Sequence, residues 1–205
     1  MEHIVYVVDD DDAVRHAVIG LLGSAGLNAI GFSSAEAFLQ HRFEELPSCV
    51  VLDMQMPTIS GFEVADTLKG TGREIPIIFL TGHGTIPMSV RAIKGGAYEF
   101  LTKPVESNAL IDAIESALRL AENNAVRNKE YYALKQRHMS LTPREHEVLQ
   151  LAISGMLNKQ IAAELGVSEI TVKVHRRRVM EKMQVRSVAE LVRAVERLTK
   201  NLPAE

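Results

Sequence analysis

Two rhythms divide the chain. Through the first 120 residues, short apolar runs recur between segments of helical period; from residue 140 onward only the helical period remains. The runs "HIVYVV" (3–8), "NAIGF" (28–32), "CVVLD" (49–53), "PIIFL" (76–80) and "YEFL" (98–101) predict strands. Near-continuous apolar stretches such as "CVVL" and "PIIFL" suit strands covered on both faces. Residues 13–25, 34–42, 61–69, 86–94 and 107–120 predict the helices between them. In "AVRHAVIGLLGSAG", Val14, Val18, Leu21 and Leu22 fall on one stripe that ends in Gly. Strand–helix alternation repeated five times implies an α/β fold with a doubly wound, five-stranded parallel sheet. Ligands of such sheets bind outside the carboxyl ends of the strands.

The helix beginning at 107 has no sequence reason to stop at 120. "ALRLAENNAVRNKEYYALKQRH" lacks Pro and Gly and is rich in helix formers, so 121–139 predicts a helical linker with Asn123–Asn124 as its weakest point. From 140 to 205 the pattern is that of a four-helix, all-α domain. "TPRE" carries Thr142, Pro143 and Glu145 in a capping-box arrangement. "NKQIAAELGVSEITVKVHRRRVMEKM" reads as helix, turn at Gly166–Val167, then a Ser168-capped helix, a helix-turn-helix layout. Its second helix bears Lys173, His175, Arg176, Arg177, Arg178 and Lys182, with Val172, Val179 and Met183 as an inward stripe. That combination suits insertion in a DNA major groove, although a solvated basic helix has the same composition.

Charge sharpens the division. Residues 1–120 hold 16 acidic against 8 basic side chains, net −8, whereas 121–205 hold 10 against 15, net +5. An acidic part joined to a basic part suggests different partners, with a polyanion for the second. No apolar stretch approaches the roughly 20 residues that span a bilayer, and no basic-then-apolar leader opens the sequence. The one cysteine, Cys49, lies in an apolar run, which fits a buried strand thiol and a reducing cytoplasm.

The four aspartates of "VDDDD" (8–12) bear on chemistry. A solvated acidic loop is one reading and a cation site the other. In the inferred sheet, strand ends bring Asp9, Asp10 and Asp53 to one edge together with Thr81 and Lys103. Carboxylates in that number suit a hard cation, Mg²⁺ or Mn²⁺, which offsets their mutual repulsion. A carboxylate beside a cation and a lysine can attack phosphorus to form an acyl phosphate. Asp11 and Asp12 fall beyond the strand end, solvated or opening the first helix.

"VVDDDDAVR", "VVLDMQMPTISGFE", "IIFLTGHG" and "GGAYEFLTKP" resemble the signature blocks of the receiver domain of two-component response regulators, in order and spacing across 1–120. The resemblance implies a flavodoxin-like fold that accepts phosphoryl on Asp53 from a sensor histidine kinase. It also implies Asp10 as a direct metal ligand, Asp9 acting through water, and the Gln55 backbone carbonyl as a further ligand. Thr81 and Phe100 match a switch pair, and Lys103–Pro104 matches a Lys-Pro whose peptide is usually cis. Val90 and Lys94 fall on the face through which such domains dimerise when phosphorylated. Gln55 and His83 either tune hydrolysis or only line the mouth. Residues 140–200, with "LTPRE", "NKQIA" and "TVKVH", resemble the DNA-binding domain of the LuxR/NarL/FixJ class. Lys173, Val174 and Arg177 then match base-facing positions, and Thr171, His175 and Arg178 positions nearer the phosphate backbone. Together the blocks resemble the FixJ- and StyR-like branch of that family. They imply a cytoplasmic transcription regulator that works on promoter DNA with RNA polymerase and is no enzyme beyond its own phosphorylation and dephosphorylation. A haloacid-dehalogenase-type phosphatase would instead carry its nucleophile after the first strand with a second Asp two residues on, whereas Asp53 is followed by Met54 and Gln55. A Ca²⁺ module would need spaced oxygen ligands around a central Gly, which "DDDDAVRHAV" lacks.

Overall fold

The computed structural model describes residues 2–71 and 73–200; positions 201–205 of the expected 140–205 segment lie outside the described residues. The chain forms two compact units, Met1–Val126 and Arg127–Glu205.

In the first unit, strands β1 (Ile4–Val8), β2 (Ala29–Phe32), β3 (Ser48–Asp53), β4 (Ile77–Thr81) and β5 (Glu99–Thr102) alternate with helices α1 (Asp12–Ser24), α2 (Ala35–Leu39), α3 (Gly61–Gly70), α4 (Ile86–Lys94) and the start of α5 (Ser107–Met139). All pairings are parallel, in the order β2-β1-β3-β4-β5. Every residue of the central strands β1, β3 and β4 is buried, which is why their sequences read as continuous apolar runs; the edge strands β2 and β5 are only partly covered.

The two-residue period of the strands splits the core into two layers. Tyr6, Val8, Val50, Leu52 and Phe79 face Phe38, Val64, Leu68 and Ala92 from α2, α3 and α4. Val5, Val7, Val51, Ile78 and Leu80 face Val18 and Leu22 of α1 and Leu110, Ile114 and Leu118 of α5. Cys49 is buried in this second layer, and burial pushes its thiol pKa up to about 12, as an inert strand thiol requires. Helix α2 is shorter than the expected 34–42. Beyond Leu39 the chain turns so that His41 and Phe43 join Tyr6, Phe32 and Phe38 in an aromatic cluster, with Phe43 edge-on to Tyr6 at 5.3 Å. Burying those rings outweighs another helical turn.

Helix α5 continues through Asn123–Asn124 without a break, so that pair does not end it. The second unit holds α6 (Pro143–Ile153), α7 (Asn158–Leu165), α8 (Glu169–Met183) and α9 (Val188–Lys200). Thr142 and Glu145 form the expected capping box. Gly166, at φ +64, ends α7 in the left-handed conformation glycine tolerates, and Ser168 caps α8 by accepting from the Thr171 N–H. Val172, Val179 and Met183 are buried, as expected for the inward stripe.

Candidate functional site

The chain crosses from one side of β1 to the other between β2 and β3, so the carboxyl ends of β1 and β3 meet at the switch point of the sheet. Asp9 follows β1, Asp53 ends β3, Thr81 ends β4, and Lys103 follows β5. The Lys103 ammonium donates to Asp9 Oδ2 and Asp53 Oδ2, both at 2.7 Å. Asp9, Asp10 and Asp53 each place a carboxylate oxygen within 4.8 Å of the others, with Asp10 exposed and the other two buried. Thr81 is buried beside this group, its hydroxyl accepting from the His83 N–H at 3.3 Å.

Backbone geometry holds the carboxylates in place. The Asp11 N–H donates to Asp9 Oδ1, and the Gln55 N–H donates to Asp53 Oδ1, both at 3.0 Å. Asp11 itself caps α1, accepting from the N–H groups of Ala13 and Val14, and Asp12 opens that helix. The run of four aspartates thus divides into a site pair and a helix-opening pair. Arg15 ties the arrangement together: its guanidinium donates to the Asp9 carbonyl at 2.7 Å and pairs with Asp12. A Cβ on Gly61 would come 2.5 Å from the Asp53 carbonyl, so glycine lets α3 begin directly against the end of β3.

Burial drives the Asp9 carboxyl above its usual pKa, and the Lys103 bond offsets this only in part. Burial alone would lower the Lys103 pKa, but its hydrogen bonds to Asp53 and Asp9 outweigh that and raise it. Three carboxylates against one ammonium leave two uncompensated negative charges around oxygen donors. The donor set fits a hard divalent cation.

Phe100 is partly buried and packs on the core layer beneath α3 and α4. Its ring edge would lie 3.1 Å from a Cβ on Gly84, and the Thr102 methyl 2.6 Å, so glycine alone lets the loop after β4 close over β5. The peptide Lys103–Pro104 is cis. Gln55 and His83 are both exposed at the mouth. Val90 and Lys94 are exposed one turn apart on α4.

On α8, Lys173, Val174, Arg177 and Arg178 are exposed on the outward side. Lys173 lies 3.4 Å from Glu169, and Arg177 donates to Glu181 at 2.7 Å. Thr171 bonds Ser168 through its hydroxyl, and His175 is half-buried with its Nδ1 enclosed and unpartnered. Two other cations of this helix serve the scaffold. Arg176 donates to Asn158 Oδ1 across the helix-turn-helix, and Lys182 pairs at 2.6 Å with the buried Glu145.

Residues 5–115 match the response regulator receiver domain family, and residues 139–195 match the luxR family of bacterial regulatory proteins. The response regulator protein TmoT of Ectopseudomonas mendocina is 47% identical over 98% of this chain and 91% of its own. The chain belongs to the two-component response regulators. The transcriptional regulatory protein FixJ of Bradyrhizobium diazoefficiens is 42% identical to this response regulator over 92% of each chain. The solved structure of the response regulator StyR superposes with a TM-score of 0.85 at 50% identity, covering 96% of this chain and 99% of that one. The luxR-family segment makes this response regulator a DNA-binding regulator of transcription. No helix among its described residues is long and apolar enough to cross a membrane.

Several contributors escaped the sequence reading. Arg15, Gly84 and Ile170, an exposed apolar residue on α8, lie inside the quoted segments without an assigned role; only the folded neighbours give them meaning.

Proposed function

We propose that this response regulator takes a phosphoryl group on Asp53 from a phosphohistidine of a sensor kinase in the cytoplasm. The observation carrying this reading is the Lys103 ammonium held at 2.7 Å from both Asp9 and Asp53 at the switch point of the sheet. An Asp53 oxygen attacks phosphorus, an oxygen–phosphorus bond forms, the phosphorus–nitrogen bond breaks, and the imidazole leaves with its electron pair and takes up a proton. Lys103 follows the charge from the Asp53 carboxylate to a phosphoryl oxygen, and the Thr81 hydroxyl donates to another. Asp10, Asp53 and the Gln55 carbonyl would hold Mg²⁺ or Mn²⁺, with Asp9 acting through water; when bound, the cation offsets negative charge on the phosphoryl oxygens. The phosphoryl group leaves in a separate step: water attacks phosphorus, the bond to the Asp53 oxygen breaks, and inorganic phosphate and the free carboxylate result, which makes the chain a switch rather than an enzyme with an external substrate.

The output is a change in association. Engagement of Thr81 by the phosphoryl group frees room for Phe100 to turn inward, which alters the α4–β5 face where Val90 and Lys94 lie. Two copies meet on that face and present two DNA-binding units to promoter DNA and to RNA polymerase. Lys173, Val174 and Arg177 face base edges, while Thr171, His175 and Arg178 approach phosphates. The pairs Lys173–Glu169 and Arg177–Glu181 are exposed i,i+4 pairs that water screens, weak enough to yield to DNA.

Incubation with acetyl phosphate tests the centre of this reading. Wild type is expected to gain one phosphoryl group by intact mass only when Mg²⁺ is present, and to lose labelling when the metal is chelated. Asp53→Asn should take up none, because an amide is a poor nucleophile. Labelling of Asp53→Asn at the wild-type level, or unchanged labelling of wild type under chelation, overturns the assignment.

A further inference from the structure

Ile170 is the most exposed large apolar side chain among the described residues of the second unit, at 74% of its full area. It sits at the second position of α8, two residues after the Ser168 cap. Val174 follows one turn later on the same face, 45% exposed. Both are β-branched and poor helix formers, so neither helix propensity nor core packing accounts for them at open positions. Water is an unfavourable neighbour for this pair.

Cations flank the pair: Lys173 lies beside it, with Arg177 one turn beyond, and Arg178 is also exposed. The buried stripe Val172, Val179 and Met183 anchors the helix elsewhere. A face with methyl groups at its centre and cations beside them suits a polyanion that itself presents methyl groups. In the DNA major groove only thymine does so, through its C5-methyl. The first turns of a recognition helix are the part that reaches base edges.

We propose that Ile170 and Val174 form a thymine-methyl reader, which makes a T·A pair at the matching half-site positions a determinant of operator choice. The proposal rests on the reading of α8 as a DNA-recognition helix. Ile170 carries it beyond the residues that the family resemblance marks as base-facing.

The test uses the full chain treated with acetyl phosphate, which first selects duplexes from a random pool. Each thymine of the selected half-site is then replaced by uracil, which lacks only the methyl. At one or two positions, replacement should weaken wild-type binding about fourfold, the effect of one methyl group left in water. Ile170→Ala should bind the thymine duplex more weakly by a similar factor and ignore uracil at its own position. It should respond like wild type elsewhere and keep the wild-type salt dependence, since no phosphate contact is lost. If no uracil replacement weakens wild type, or if Ile170→Ala keeps every methyl sensitivity, the proposal fails and the pair faces another molecule, such as an acidic protein surface. Selection of no sequence at all overturns the DNA reading of α8 itself, and the two failures are thereby distinguished.

Discussion

Thr58 stands at φ +73 in the loop between β3 and α3, a left-handed conformation that costs a β-branched residue about 1–2 kcal/mol. Its side chain is exposed, so no packing compensates. Thr58→Gly removes the clash and gives back part of the gain as added freedom of the unfolded chain. The first unit should therefore be more stable by about 0.5–1 kcal/mol, read as a higher urea midpoint at unchanged slope. A lower midpoint would mean that the loop holds Thr58 by interactions that glycine cannot replace. Gly61 and Gly84 give the converse case, in which the absence of a Cβ is the function: one lets α3 approach Asp53, the other lets a loop close on Phe100.

Helices α6 and α8 are joined by a charge pair, the buried Glu145 with the half-buried Lys182, that explains why part of the basic composition of α8 is structural. Burial would raise the Glu145 pKa, but the Lys182 ammonium and the Thr142 backbone N–H outweigh it and hold the carboxyl low. Nearby, the rings of His138 and His146 meet edge to face at 4.6 Å between centroids. Burial first, then the charge of His146, lowers the His138 pKa below 6.5. Between the folded value and 6.5 the folded unit binds fewer protons than the unfolded chain. This contribution to stability is therefore complete above pH 6.5 and is lost as pH falls through the folded value. Amide exchange in α6 and α8 should become faster from pH 7 to pH 5.5, after correction for intrinsic rates, and His146→Ala should flatten that dependence. A slope unchanged by His146→Ala would remove the pair as its cause. At this scale the sequence was readable wherever a local rule decides. Continuous apolar runs marked β1, β3 and β4, and "TPRE" and Gly166–Ser168 marked helix ends. The strand-end residues Asp9, Asp53, Thr81 and Lys103 were readable because parallel strands put all their carboxyl ends on one edge. The early stop of α2, the grip of Arg15 on the Asp9 carbonyl and the pairing of Lys182 with Glu145 were not. Each depends on partners that only the fold brings together, 37 residues apart in the last case.

At the scale of the whole molecule, the proposed dimer requires that a phosphoryl group on Asp53 shift an association equilibrium. Ile86, Val90 and Ile93 are exposed on α4 at the i, i+4, i+7 spacing of one helix face. Burying three such partly exposed side chains on each of two copies offers on the order of 5–10 kcal/mol. Association costs an estimated 4–15 kcal/mol in lost freedom, so the stripe alone leaves the equilibrium near balance. A shift of a few kcal/mol in the conformation of α4 and β5 then decides it, provided that the phosphoryl group binds the two conformations with different free energies. In the proposed symmetric pair the face would be used twice, so one charge introduced on the stripe would appear twice, near the two-fold axis. Val90→Asp should therefore block association without touching the phosphorylation site. Sedimentation velocity at micromolar concentration, with and without acetyl phosphate, checks this on the full chain. Wild type should be monomeric without the donor and dimeric with it, whereas Val90→Asp should stay monomeric in both while still gaining its phosphoryl group by mass. A phosphorylated wild type that remains monomeric, or a Val90→Asp variant that dimerises equally well, would exclude the α4 face as the route from Asp53 to DNA.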